Sequence, residues 1–540
     1  MPADGMDLTM SDESAEAGRA FVLGLDGVPW PLLRDWVDDG HLPNFSRLFE
    51  SGATGPLEST EPATTPVAWP SIFTGLRPDG HGVYAFHETT ADHTRQLNTN
   101  TNVGGAKLWD RVSPAVVVNV PMTYPAREVD GTMVTGMMSP GITDEFTHPP
   151  ELAEEIRERV PDYEIGLKWY EYHGDVPALV TDLEAMVAAR WQLVSWLLEE
   201  TADWRLAFTV FTAPDRLQHL CWDEETLLSF YGLLDDVLGD VMAVVDDADA
   251  TLYVVSDHGF GPIDRSVAPN TVLAEEGLLT PKGNGNARGL LERVGLTREA
   301  VLAGLDRVGI DEDALVRYLP ESLVHMAGEQ LPGDHALYDV DFGETVAFVG
   351  AHGTVYVNTT DRFDEGAVTP DDVPAVKRAV TDALDGVCDP ETGARAVTVH
   401  DGDDLFPRDD DSPDLLLEYG EDYTSTTSLR DERFGDSGTY AATHRSQGIF
   451  LAWGANVDPG VRVTGAHVTD VAPTVLHGTG TAVPDVDGRV LNEVFAPGTS
   501  PATTPVRVAD DHAEREQVRA ADDTGFDDVE ERLQGLGYID

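Results

Sequence analysis

Four short apolar runs constrain this chain more than any other feature: FVLGLDG at 21–27, AVVVNVP at 115–121, RLAFTVF at 205–211 and TLYVVSDHGFG at 251–261. Each is strand-sized, and each is apolar almost continuously rather than at alternate positions. Such a strand has no wet face, so it belongs in a parallel sheet covered on both sides. Helical spacing fills the stretches between, at 29–39, 42–52, 151–160, 176–199 and 225–247. Alternating strand and helix patterns predict an α/β protein with a largely parallel sheet. VAFVGAHGTVYVN (346–358) and DLLLEYG (414–420) resume sheet-like sequence, and TPDDVPAVKRAVTDALDGV (369–387) opens like a capped helix.

Open parallel sheets bind ligands beyond the carboxyl ends of their strands, so the residues that end these runs matter. The first run delivers Asp26. The third leads into APDRLQH, expected as a loop, with Asp215 and His219 four apart, a spacing that one helical turn would put on one face. The fourth ends in Asp257-His258 before a glycine-rich turn, and His444 follows in THRSQG. Three carboxylates and three imidazoles make a mixed oxygen and nitrogen set suited to zinc, manganese or iron better than to calcium alone. Each also has a plain structural reading: Asp26 as a turn or cap residue, the histidines as hydrogen-bonding side chains. The prolines and threonines of STEPATTPVAWPSIFTG (59–75) raise a parallel choice, since Thr64 or Thr65 could be a helix N-cap or a nucleophile.

Charge narrows the function classes. Acidic residues number 97 against 35 basic ones, only four of them lysine, for a net charge of -62. Charge on that scale repels itself at low salt, whereas at 1 M salt the Debye length falls to about 3 Å. The composition resembles that of proteins from salt-accumulating halophiles and points to a halophilic archaeon. General nucleic-acid binding and an anionic membrane surface are not expected, because no basic stripe exists to neutralise phosphates. Cys221 and Cys388 make neither a disulfide framework nor a cysteine metal cluster. The first residues carry no basic start followed by an apolar core, and no apolar run reaches membrane-spanning length, so a cytoplasmic location is expected.

Taken in order, the motifs resemble the alkaline phosphatase superfamily, most closely its nucleotide pyrophosphatase / type I phosphodiesterase branch. The resemblance runs from the LDG strand through LPNFSRLFESG, STEPATTPVAWPSIFTGLRPDGHGVYAF, TAPDRLQH, VVSDHGFGP, THRSQGIFLAWG and VTDVAPTVLHGTG to VPDVDGRVL, about residues 19–495. It implies a three-layer αβα sandwich with a mostly parallel central sheet, and a hydrolase of phosphate esters working through a phospho-threonine type of intermediate. It implies two divalent ions, zinc ahead of manganese, one held by Asp215, His219 and His444 and the other by Asp26, Asp257 and His258. Thr65 would be the nucleophile, with Thr64 its rival. The substrate would be a small anionic phosphate ester or nucleotide.

A phosphomonoesterase or phosphomutase of the same superfamily is the alternative, and a non-catalytic metal-dependent binding protein a remoter one. A sulfatase is disfavoured, because TTPVAWP lacks the cysteine or serine maturation setting. One departure stands out. The branch often has an asparagine three residues after the nucleophile, and here that position is Ala68. Lys107 and Arg77 are conceivable substitutes, and Tyr84, Phe86 and Tyr124 conceivable stacking groups. His81 is expected to support the turn after the Thr65 helix. Around the catalytic domain the sequence suggests a disordered acidic tail at 1–18, a helical insertion at 281–345 and an acidic extension at 496–540.

Overall fold

The computed structural model describes residues 18–143, 145–282 and 340–509. Its centre is a ten-stranded sheet. Thr251–Val255, Ala20–Leu25, Leu206–Phe211, Ala115–Val120 and Gly131–Thr135 lie side by side and parallel. Gln447–Gly454 runs antiparallel between Thr251–Val255 and Ala53–Glu58. The apolar runs therefore occupy the middle, where both faces are covered.

Register fixes where the chemistry emerges. Leu25 pairs with Phe211, and Gly24 with Val255, so three strands end at one level. Alternate residues of the first strand serve opposite layers. Phe21, Leu23 and Leu25 join a core with the helices Trp30–Asp38, Pro43–Ser51, Val176–Glu200 and Glu224–Asp247. Ala20 and Val22 join Trp69, Ile72 and Phe73 of the helix Thr65–Thr74, together with Val471, Val475 and Leu476 of Val471–Gly478. That is the three-layer αβα sandwich.

Two local expectations are corrected. The segment after Phe211 is not a loop but a helix, Ala213–Leu220, with Pro214 in its first turn, where a missing N–H costs nothing. The glycines after His258 do not make a turn. Gly259–Pro262 is a strand paired antiparallel with Ala442–Arg445, and Phe260 stands opposite His444.

A second sheet has four antiparallel strands in the order Ala347–Val349, Thr354–Val357, Leu415–Tyr419, Val397–Asp401. It shares a separate apolar core with Val272 and Leu273 of one helix and Val380 and Leu384 of another. This small body forms a cap beside the strand ends. Most of the suggested insertion, with its helical pattern, lies outside the described residues. So do the N-terminal tail to residue 17 and residues 510–540 of the suggested acidic extension. Up to residue 509 the chain folds back, with Val508 bridged to Val483. Among the described residues no helix is long and apolar enough to cross a membrane.

Candidate active site

Asp26 is the first residue past its strand, and Gly27 turns the chain with φ +73. A side chain at Gly27 would meet the Phe260 ring at 3.0 Å and the Asp215 backbone at 3.2 Å, so glycine admits both to the site. The Gly27 N–H donates to Asp257 Oδ1 (3.2 Å), and that of Val28 to Ser256 Oγ (2.9 Å), tying the first and fourth strand ends together.

The six side chains fall into two groups, Asp215–His219–His444 and Asp26–Asp257–His258, each with donor atoms within 4.8 Å of one another. In the first, His444 Nε2 lies 3.2 Å from Asp215 Oδ1 and 3.3 Å from His219 Nε2. In the second, His258 Nε2 lies 3.2 Å from Asp257 Oδ2 and 3.8 Å from Asp26 Oδ1. His258 stacks on His444 with ring centroids 3.9 Å apart, so the groups are adjacent. His258 Nδ1 sits 3.1 Å from the Gly259 carbonyl. A proton there leaves the Nε2 lone pair facing inward, the tautomer of a ligating imidazole.

Burial shapes the electrostatics. It pushes Asp26 and Asp257 well above the usual carboxylate range, and repulsion from Asp215 and from Asp26, respectively, adds to it. Burial alone would raise Asp215 as well, but His219, Arg216 and His444 hold it below its ordinary value. Burial drops His219 to about 3 and lowers His258 strongly, which keeps their lone pairs free at neutral pH. Asp215 Oδ1 and Asp257 Oδ2 are buried without a hydrogen-bond donor. Leaving such oxygens unmatched costs roughly 1–3 kcal/mol each, more when charged. Buried acceptors facing imidazole lone pairs fit divalent cations, which satisfy both.

Thr65 begins its helix directly after Thr64, which is extended at φ -144, ψ 149. Its Oγ1 lies 3.3 Å from His258 Nε2 and 3.5 Å from Asp26 Oδ1. Thr64 makes no side-chain cap, and its buried hydroxyl has no partner. Sequence reasoning missed Trp69, one helical turn beyond Thr65, whose Nε1 donates to Asp26 Oδ2 at 3.0 Å. Its spacing of four from Thr65 was the available signal. Gly24 makes room for it, since a Cβ there would come within 2.4 Å of the indole.

The secondary candidates separate. His81 bonds Ser71 Oγ (3.0 Å) and accepts from the Val83 N–H (3.2 Å), which braces the Thr65 helix as expected. Lys107 is buried, donating to the Val103 carbonyl at 2.8 Å, and does not line the site cleft. Tyr84 packs on Phe406 and donates to Asp409, and Tyr124 donates to Glu145. Arg77 and Phe86 do line the cleft, of about 2140 Å³, that runs from Thr65 to the cap. Nor does the helix's first turn offer a full set of donors in place of the asparagine missing at Ala68. Pro66 has no N–H, and those of Val67 and Ala68 both reach the Thr64 carbonyl.

A hydroxyl at a helix start, beside paired acidic and imidazole clusters at the carboxyl edge of a parallel sheet, defines a metal-dependent hydrolase of phosphate esters. The family described as type I phosphodiesterase / nucleotide pyrophosphatase matches residues 20–448, and the chain belongs to it and so to the alkaline phosphatase superfamily. Among solved structures it is similar to murine ectonucleotide pyrophosphatase / phosphodiesterase 5. An inactive form of that protein in complex with AMP is 12% identical, with 87% of this chain and 97% of that chain covered and a TM-score of 0.48. A second structure of it is 13% identical at the same coverage, with a TM-score of 0.47. No curated protein matches.

Proposed function

We propose that this phosphodiesterase-type hydrolase works through a covalent intermediate on Thr65. Asp215, His219 and His444 would hold one divalent ion, and Asp26, Asp257 and His258 the other, with zinc ahead of manganese because half the donors are imidazoles. The observation that carries the reading is the place of Thr65 Oγ1, 3.3 Å from His258 Nε2 and 3.5 Å from Asp26 Oδ1 at the start of a helix. When bound, the two ions lower the pKa of the attacking hydroxyl and stabilise charge on the entering and leaving oxygens.

The chain's own residues do the rest. Thr65 Oγ1 attacks phosphorus as the ester oxygen departs, leaving a phosphothreonine ester. Water then attacks the same phosphorus and the Thr65 hydroxyl is restored. Trp69 fixes the rotamer of Asp26, His258 is fixed through the Gly259 carbonyl, and His81 holds the Thr65 helix against the following turn.

The substrate is a small phosphate ester, with diesters and nucleotide anhydrides ahead of monoesters. Thr65→Ala should lose roughly a thousandfold or more in kcat while keeping two bound divalent ions, with metal content read by mass spectrometry. Full activity in that variant would end the assignment. A matched panel of mono- and diesters decides the alternative of a monoesterase or phosphomutase. The acid excess supports a high-salt cytoplasm, as in a halophilic archaeon, and argues against general nucleic-acid binding. Residues 19–495 would form the catalytic domain, interrupted by the insertion at 281–345 and flanked by acidic segments at 1–18 and 496–540.

A further inference from the structure

The far wall of the cleft is the cap sheet, whose Gly350–Gly353 connection turns over the site. His352 sits in that turn with φ 54, ψ 25. Left-handed backbone is found in only a few per cent of non-glycine residues, and such outliers gather at ligand sites. The turn is pinned behind it by Gly353 (φ +81), where a Cβ would meet the Leu417 carbonyl at 2.5 Å. Position 352 would fold more easily as glycine, yet it carries an imidazole that lines the cleft together with Thr65, His219 and His444.

That imidazole is unengaged. Among the described residues no hydrogen bond reaches either ring nitrogen, and its ring neighbour is Phe86, 6.1 Å away and tilted 58°. His87, next to Phe86 in the chain, also lines the cleft close enough to His352 for the two rings to interact electrostatically, and its Nε2 is buried without a partner. The other cleft histidines are spoken for, His400 by Glu418 and His467 by Thr469. Burial lowers His352 to about 4, with the nearby His444 adding to it, and lowers His87 to about 3. Both rings are neutral near pH 7, each offering one N–H and one lone pair.

We propose that His352 and His87, with Phe86 beside them, form the subsite that binds the organic group of the substrate. Rings of this kind bind an uncharged group through its hydrogen-bonding edges, while Arg95, which also lines the cleft and helps to lower His87, leaves room for a charged one nearby. This assignment rests on the reading of Thr65 as the reacting centre, and it places His352 on the side of Asp215, His219 and His444.

The probes are bis(4-nitrophenyl) phosphate, which has organic groups, and inorganic phosphate, a competitive inhibitor that has none. His352→Gly should raise KM for the diester by roughly five- to tenfold, the loss expected from one hydrogen bond. Its inhibition constant for phosphate should stay unchanged and its Tm should be equal or higher, because the backbone is relieved. His352→Asn, which tolerates the left-handed turn and keeps a donor and an acceptor, should recover most of the affinity. His87→Phe should raise KM independently. An unchanged diester KM in His352→Gly and His87→Phe, or a matching loss of phosphate affinity, would overturn the subsite and leave the Thr65 reading standing. A parent enzyme inactive on every phosphate ester would overturn both.

Discussion

At the residue scale, what distinguishes this site is how much of it rests on single contacts. The Trp69 N–H on Asp26 Oδ2 is a hydrogen bond to a buried carboxylate, worth about 1.5–3 kcal/mol. Trp69→Phe keeps the ring packing and removes that bond, so affinity for the ion at Asp26, Asp257 and His258 should fall roughly 10–100-fold. Titration with a chelating metal indicator checks this. Gly24→Ala should destabilise the fold by about 1–3 kcal/mol, because its Cβ would press on the same indole. Thermal unfolding of metal-free protein reads that cost without interference from the ions. Asp26 and the Asp257-His258 pair end apolar runs and carry their own signal in the sequence, whereas His444, alone in THRSQG, was secured only through the family resemblance. Trp69, His87 and His352 were not legible there, since a tryptophan inside VAWPSIF reads as core and a lone histidine reads as surface. Only the fold reveals which ring nitrogens lack partners.

At the element scale, the cap is latched to the core just behind the Thr65 helix. Arg408, between two strands of the cap sheet, bonds Asp79 Oδ1 at 2.6 Å and Asp487 Oδ2 at 2.7 Å. Asp79 shares the short helix Pro78–His81 with His81, which braces Ser71. Burial alone would raise the Asp79 pKa, but the hydrogen bonds and charge of Arg408 outweigh it and leave the carboxyl below its ordinary value. A lowered acid contributes stability above the unfolded value, about 4, and loses it as pH falls through the folded one. Arg408→Ala should therefore lower Tm at pH 7 and weaken its fall with acid below about pH 4, as a Tm–pH series would show. Because Arg408 is about half exposed, the loss should be modest, near 1 kcal/mol. Elements with strong periodicity were legible, including the buried strands and the helices Val176–Glu200 and Glu224–Asp247. Ala213–Leu220 was misread as a loop because an eight-residue helix opening on Ala-Pro shows too little periodicity. Gly259–Pro262 was misread because a strand of glycine and proline looks like a turn. The cap sheet escaped as a unit because its strands come from distant segments, with Val397–Asp401 and Leu415–Tyr419 pairing far from Ala347–Val349.

At the scale of the whole molecule, a net charge of -62 must coexist with an anionic substrate. The conflict is local as well as global, because Asp26, Asp215 and Asp257 are buried together. Screening relieves the global part. Raising potassium chloride from 0.1 M to 2 M should increase Tm, and a flat or falling Tm would remove the argument for a high-salt setting. Cations in the site would relieve the local part. Chelation should therefore lower Tm as well as abolish turnover, and the two effects should return together on adding metal back. The claim beneath all of this is that the two clusters are the walls of a two-ion centre. Anomalous diffraction from crystals grown with zinc tests it most directly. The expected result is two peaks, one about 2.0–2.2 Å from donor atoms of Asp215, His219 and His444 and the other equally close to Asp26, Asp257 and His258. No peak between these side chains, or zinc bound only elsewhere on the acidic surface, would contradict it.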